Sequence, residues 1–176
     1  MTSQLGFDKW QSTDGVNRNT VVQTLQFHYT DRWSQAQSGT TWYDTPILLS
    51  ITPRFANSKI IGSLTGVFGT DYWELKGRII RNGTTPVGIG DLEGSRPQAG
   101  WSMIYYDYGS RSQHDTYNIT YNFSDSPNST SAVTYRLQLN GFSSYTFNIN
   151  GFYSNNNNLD YDGCPTTQLT IMEITQ

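Results

Sequence analysis

The chain has one cysteine, Cys164, among its 176 residues. An intrachain disulfide is therefore impossible, and so is a cysteine-built zinc cluster. No local signature marks Cys164 as a nucleophile, and the reading is a small structural residue. Histidine is nearly as scarce. His28 falls on an expected strand and His114 in a polar loop, with no second histidine close in sequence to either. Charge is thin as well: Asp, Glu, Lys and Arg make up 14% of the chain, where roughly a quarter is usual for a soluble domain. A net charge of −3 and an isoelectric point near 5.2 leave no basic footprint for nucleic acid. No apolar run approaches the roughly 20 residues a membrane-spanning helix needs. The opening MTSQLGFDKW lacks the basic and apolar regions of a secretory signal, so the expectation is synthesis in a cytoplasm. No G-x-S-x-G, H-E-x-x-H or Gly-rich phosphate loop occurs.

What the chain has is alternation. From Ile47 to Phe68 an apolar arm breaks at Thr52-Pro53, passes through polar Arg54–Ser58 and returns to apolar residues at Ile60. Proline has no N–H and ends a strand, while Asn57 and Ser58 suit a turn. On the second arm Ile60, Leu64 and Phe68 share a parity that Gly62 and Gly66 interrupt. This period of two with one wet face predicts a hairpin half-buried against a second sheet. Val21–Tyr29 alternates in the same way, and residues 30–45, with Trp33 and Trp42, read as a loop or irregular edge strand. Trp73–Arg81 is expected to be a strand that turns at Asn82-Gly83, the strongest short hairpin signal because both positions tolerate positive φ. Trp101–Tyr108, Thr116–Phe123, Ala132–Leu139, Tyr145–Ile149 and Leu169–Ile174 complete the set. The last of these is apolar on both faces, as a strand buried or covered by a neighbour would be. No helical period persists. The expectation is an all-β, jelly-roll-like antiparallel β-sandwich of about eight to ten strands over residues 21–176, behind an N-terminal arm over 1–20.

Several phrases carry a resemblance. SITPRFANSKI at 50–60, Arg81-Asn82-Gly83-Thr84 some twenty residues later, and the closing Leu169-Thr170-Ile171-Met172-Glu173-Ile174 resemble the SITPxxxxSKI, RNGT and TxMEI phrases of virion proteins of tailed bacteriophages, marine and cyanophage types above all. Ser126-Pro127 followed by Val133-Thr134-Tyr135 is similar to the D-x-P…TY segment of that family, and DGVNRNTVVQTLQ to its opening strand. The resemblance implies a non-enzymatic trimeric jelly roll on the particle surface, as a capsid decoration or cement protein or a short appendage or tail-fibre knob. Its implied partners are its own copies and a major capsid or appendage protein, with no cofactor, nucleic acid or membrane insertion. Fewer than 50 residues precede the first phrase, which favours a small protein seated directly on a capsid or appendage. Assembly and anchoring contacts are expected from Phe7, Trp10, Leu169, Ile171, Met172 and Ile174, and an outward tip from the Asn-rich loop 151–163.

The alternative function is recognition of a host-surface carbohydrate. Trp101, Tyr105, Tyr106 and Tyr108 adjoin a Gly-rich loop; exposed rings stack on sugars, but the same rings also fill cores and subunit interfaces. Carboxylate pairs such as Asp71 with Glu74, or Asp91 with Glu93, look like ordinary loop and strand-end acids, and no catalytic residue is assigned. Asp160 and Asp162 with Gly163 share part of a calcium-loop pattern but lack its remaining acids, so a polar turn is the expectation and no metal is assigned. Asn-x-Ser/Thr triplets at Asn82, Asn118, Asn122 and Asn128 are read as chance in an Asn/Thr-rich chain without a signal peptide.

Overall fold

The computed structural model of the protein describes residues 10–11, 17–70, 74–104, 116–141, 145–151 and 163–175. Among them no helix occurs, and the chain is all-β. An antiparallel ladder pairs the two-residue strands β1 (Trp10–Gln11) and β2 (Asn17–Arg18). The remaining strands are β3 (Val21–Tyr29), β4 (Trp33–Ala36), β5 (Tyr43–Ile51), β6 (Lys59–Thr70), β7 (Glu74–Arg81), β8 (Thr85–Val87), β9 (Trp101–Ile104), β10 (Thr116–Asp125), β11 (Val133–Gly141), β12 (Thr146–Ile149) and β13 (Thr167–Ile174).

Many of these are halves of one row. On one edge β6 pairs with β10; on the other it pairs with β13 through Thr65 and with β12 from Phe68. β3 continues outward from β13, and β4 from β12. In the second sheet β11 lies between β5 and β7, and β7 pairs with β9 and then β8 along its other edge. Counting β3/β4, β8/β9 and β12/β13 as single rows gives eight in chain order. The first sheet reads 1-8-3-6 and the second 2-7-4-5. Two antiparallel sheets of four rows in that order make a jelly roll. Counting separate strands gives more than the eight to ten expected, because chain excursions cut three rows in two.

Asn150 holds one of these cuts. Its φ of 56° turns the chain out of β12, a conformation that asparagine tolerates better than most residues. Its N–H donates to Val67 O at 2.9 Å, its side-chain amide donates to Tyr29 O and Asp31 O, and its Oδ1 accepts from Thr167 Oγ1 at 2.7 Å. One residue thus ties together the breaks in two rows and the middle of β6.

The inward positions are Ile60, Leu64 and Phe68 of β6, Leu169 and Ile171 of β13, Tyr121 and Phe123 of β10, and Leu75, Ile79, Tyr135, Leu137 and Leu139 across the second sheet; all are buried. The glycines that break the parity on β6 make room for neighbours. A Cβ on Gly62 would sit 2.0 Å from the Phe123 ring, and one on Gly66 would sit 2.4 Å from Thr167 Oγ1. Gly62→Ala is expected to lose about 1–3 kcal/mol, read as a lowered urea midpoint at unchanged slope. A loss below ~0.5 kcal/mol would mean that the ring is free to move aside.

The expected turn at Asn82-Gly83 is present, with φ of 49° and 74°, and Pro53 follows the end of β5 as read. The expected hairpin over 47–68 requires correction. β5 and β6 lie in different sheets, and residues 52–58 form an arch between them. Alternation reports which face is buried, not which strand lies alongside, so arch and hairpin share one signature.

Candidate functional site

The core turns polar at one end. Gln23, Glu173, Ile60 and Asp125 form a straight cross-sheet row over β3, β13, β6 and β10. Two carboxylates sit in that row, each on an inward position at the rim of the apolar core.

Glu173 is fully buried, at 0% exposure. Its Oε1 accepts from the N–H of Arg54 at 2.8 Å, the N–H of Phe55 at 3.1 Å and the hydroxyl of Ser58 at 2.6 Å. Its Oε2 accepts from Gln23 Nε2 at 2.6 Å, and that nitrogen also donates to Thr52 O at 2.8 Å. Burial pushes the carboxyl pKa up, but the hydrogen bonds from Ser58, Gln23 and the Phe55 and Arg54 amides outweigh it, and the net shift is downward. Carboxylate acceptors of several donors behave this way. The β5–β6 arch is thereby built around one side chain from the far end of the sequence. Its outward side presents Phe55 at 44% exposure.

Asp125 makes the second knot. Arg81 Nη1 donates to Oδ1 at 2.8 Å and to Oδ2 at 2.9 Å, and the Tyr135 hydroxyl donates to Oδ2 at 2.8 Å. Burial first, then the bond to Asp125, pushes the Tyr135 phenol far above its ordinary value. Next to this knot the turn is locked by Asn82 N donating to Thr134 O and Thr134 N donating to Asn82 Oδ1. The knot joins the two sheets, since Asp125 lies on β10 and its partners lie on β7 and β11.

These bonds bring together phrases that lie far apart in this sequence. The Glu of the closing phrase holds the Arg54, Phe55 and Ser58 positions of SITPRFANSKI, and the Gln of the opening strand completes the set. The Arg of RNGT meets the Asp of the D-x-P segment and the Tyr of its TY. Sequence reading placed Glu173 in an apolar strand and assigned it nothing. The available signal was a lone acid on the same parity as Leu169 and Ile171. Chemically both knots are closed. Donors fill the carboxylates, and neither knot holds a side-chain nucleophile other than a hydroxyl already bonded to its acid.

The outer face of the second sheet carries a milder network. Asp44, Gln138 and Arg78 stand in one row. Asp44 accepts from Gln138 at 2.7 Å and from Arg136, and Arg78 Nε donates to Gln138 Oε1 at 2.9 Å. The Gln138 bond leads in holding the Asp44 carboxyl below its usual range. The Arg78 guanidinium lies 4.1 Å from the Trp42 ring centroid, a cation–π contact.

The residues singled out from sequence are scattered. Trp101 packs against the core, its ring 5.2 Å from that of Phe68 and so close over Gly77 that a Cβ there would meet it at 2.3 Å. Tyr105, Tyr106, Tyr108, Phe7, His114, Asp160 and Asp162 lie outside the described residues, as does most of loop 151–163. Of Trp10 the structure gives the backbone pairing with Arg18. Leu169 and Ile171 are buried in the core, whereas Met172 and Ile174 are half-buried on the outer face. Trp33 packs on Phe147. His28 and Cys164 are exposed. Among the described residues no group of His, Cys, Asp and Glu could hold a metal ion, and no helix is long and apolar enough to cross a membrane.

No protein-family profile and no curated protein matches the chain. Solved structures that it resembles include VP2 of infectious bursal disease virus in its subviral particle, with TM-score 0.39 and 12% identity over 98% of this chain and 44% of that one. The structure of the Gt strain of the same virus gives 0.38 and 11%, over 98% and 44%. The T=1 particles derived from that virus give 0.37 and 10%, over 98% and 42%. The chain therefore spans less than half the length of each of these matched chains. The jelly-roll assignment rests on this chain's own strand order, 1-8-3-6 against 2-7-4-5.

Proposed function

We propose that the chain is a non-enzymatic structural protein of a tailed-bacteriophage virion, a trimeric jelly roll on the particle surface that works by assembly, as a capsid decoration or cement protein or as a short appendage or fibre knob. The observation that carries this reading is the meeting of the resembling phrases in space. Glu173, Gln23 and the 52–58 arch form one hydrogen-bonded unit, and Arg81, Asp125 and Tyr135 another. The likeness to phage virion proteins is thus a likeness in the residues that lock a jelly roll together, so it bears on the whole domain rather than on short strings. The low charge of the chain fits a surface that packs against neighbours, since it repels them weakly.

The packing of Trp101 against Phe68 and Gly77 favours assembly over a sugar-stacking role for that ring. On β13, Met172 and Ile174 are the apolar side chains able to meet a partner. The test uses virions purified from a host carrying the gene. Mass spectrometry and antibody labelling are expected to find the chain on the particle exterior, and native mass spectrometry of the isolated protein to find multiples of three copies of the 19.9 kDa chain. Absence from purified particles overturns the virion reading; a strictly monomeric protein overturns the trimer.

A further inference from the structure

The edges of the two sheets are not equally protected. β3 has a register shift in its ladder with β13, beside Glu173, and lies against β5 of the other sheet. β5 carries Pro46 and a register shift facing Gln138. β4 and β9 have four residues each, and β8 has three including Pro86. Short strands, prolines and bulges are the usual means of stopping a sheet edge from recruiting another strand.

β10 has none of them. It is ten residues long and pairs with β6 in unbroken register from Thr116 to Asp125. It contains no proline, and no charge before Asp125, whose carboxylate is already taken by Arg81 and Tyr135. Among the described residues its backbone ladder is with β6 alone. Its outward side chains Asn118, Thr120, Asn122 and Ser124 are exposed, short and neutral.

We propose that β10 is a pairing edge for β10 of a second copy of this chain, joined antiparallel about a two-fold axis at Tyr121. A two-fold contact uses the same patch on both copies, so the strand must be complementary to itself. In the register centred on Tyr121, Thr120 faces Asn122 of the second copy, Asn118 faces Ser124, and on the inner face Ile119 faces Phe123. From Asn118 to Ser124 each pair is polar with polar or apolar with apolar, and no like charges meet. The absence of charge from Thr116 to Ser124 supplies that condition. The backbone then gains a ladder in place of water, the mode by which sheets extend across molecules. Because the contact is two-fold, it links copies belonging to different trimers rather than building a trimer.

The test is a charge swap. Thr120→Lys/Asn122→Lys sets lysine against lysine across the axis, and Thr120→Glu/Asn122→Glu sets acid against acid; directly opposed like charges oppose pairing. Circular dichroism first establishes that each variant keeps its strand content, and Asn122→Lys alone replaces any that does not. In sedimentation velocity the wild-type protein is expected to hold an even number of copies. Each variant alone is expected to sediment at half that mass, with self-association at least ~10-fold weaker, and an equal mixture is expected to recover the wild-type mass. A wild-type protein with an odd number of copies, a lysine variant of unchanged mass, or a mixture that stays split would overturn the proposal.

Discussion

Glu173→Ala is expected to remove about 3–5 kcal/mol of stability, because it strands two backbone N–H groups, the Ser58 hydroxyl and the Gln23 amide at a buried site. For a domain of this size each kcal/mol shifts the melting temperature by roughly 2–4 °C, so calorimetry should show a fall on the order of 10 °C. Glu173→Gln is expected to be far milder, about 1 kcal/mol. Its carbonyl can keep the Arg54, Phe55 and Ser58 bonds, and Gln23 can turn its amide to accept from the new NH₂. The difference between the two variants separates lost acceptor capacity from lost charge. Equal losses, or losses under ~1 kcal/mol in both, would mean the arch is not held by this side chain.

The same group sets a pH dependence. Its carboxyl is held below the ordinary value of 4.5 in the folded protein. The stabilisation it contributes is therefore fully present above about pH 4.5 and is lost as pH falls through the depressed folded value. Stability of the wild type should fall more steeply than that of Glu173→Gln between about pH 5 and pH 3. Parallel profiles would show that Glu173 titrates in the folded chain as it does in the unfolded one.

Asp125→Ala is the second large effect expected, about 2–4 kcal/mol. It leaves Arg81 and the buried Tyr135 hydroxyl without their shared acceptor. The Arg81 side chain keeps 23% of its exposure, and water recovers part of the loss, which is why the figure lies below that for a fully enclosed pair. Tyr135→Phe alone should cost about 1–1.5 kcal/mol. Once Asp125 is gone, the phenol has nothing to donate to, so Tyr135→Phe in that background should be neutral or favourable. Urea titrations of the four proteins in the cycle measure this; strictly additive losses would mean that the two groups do not share a bond.

Much of the fold could be read from side-chain order. The alternation of β6, β7, β10 and β11 fixes their buried faces, Pro53 marks the end of β5, and Asn82-Gly83 turns as its φ preferences require. Partner choice could not be read in that way. Nothing in ILLSITPRFANSKIIGSL distinguishes an arch between sheets from a hairpin within one, because the deciding contact is to Glu173, more than a hundred positions away. The knots were hidden for a related reason. An inward acid reads as a defect in an apolar strand until its donors are known, and those donors are backbone amides and polar groups that composition does not flag. Trp101 was legible as a ring but not as a core ring, since the space it fills is the missing side chain of Gly77 on another strand.

The position of β13 has a consequence for how the protein comes to be. The strand made last among those described lies in the interior of its sheet, between β3 and β6. Until residue 174 has been synthesised, β3 has no neighbour in its own sheet among the described residues, β6 lacks β13 over half its length, and the arch at 52–58 lacks its acid. A growing polypeptide must therefore wait, with apolar faces showing, until β13 can close between β3 and β6, a step that joins residues some 150 positions apart. Such long-range closure is slow, in the millisecond to second regime. The nascent chain is accordingly most vulnerable to sticking and to chaperone capture until β13 has emerged.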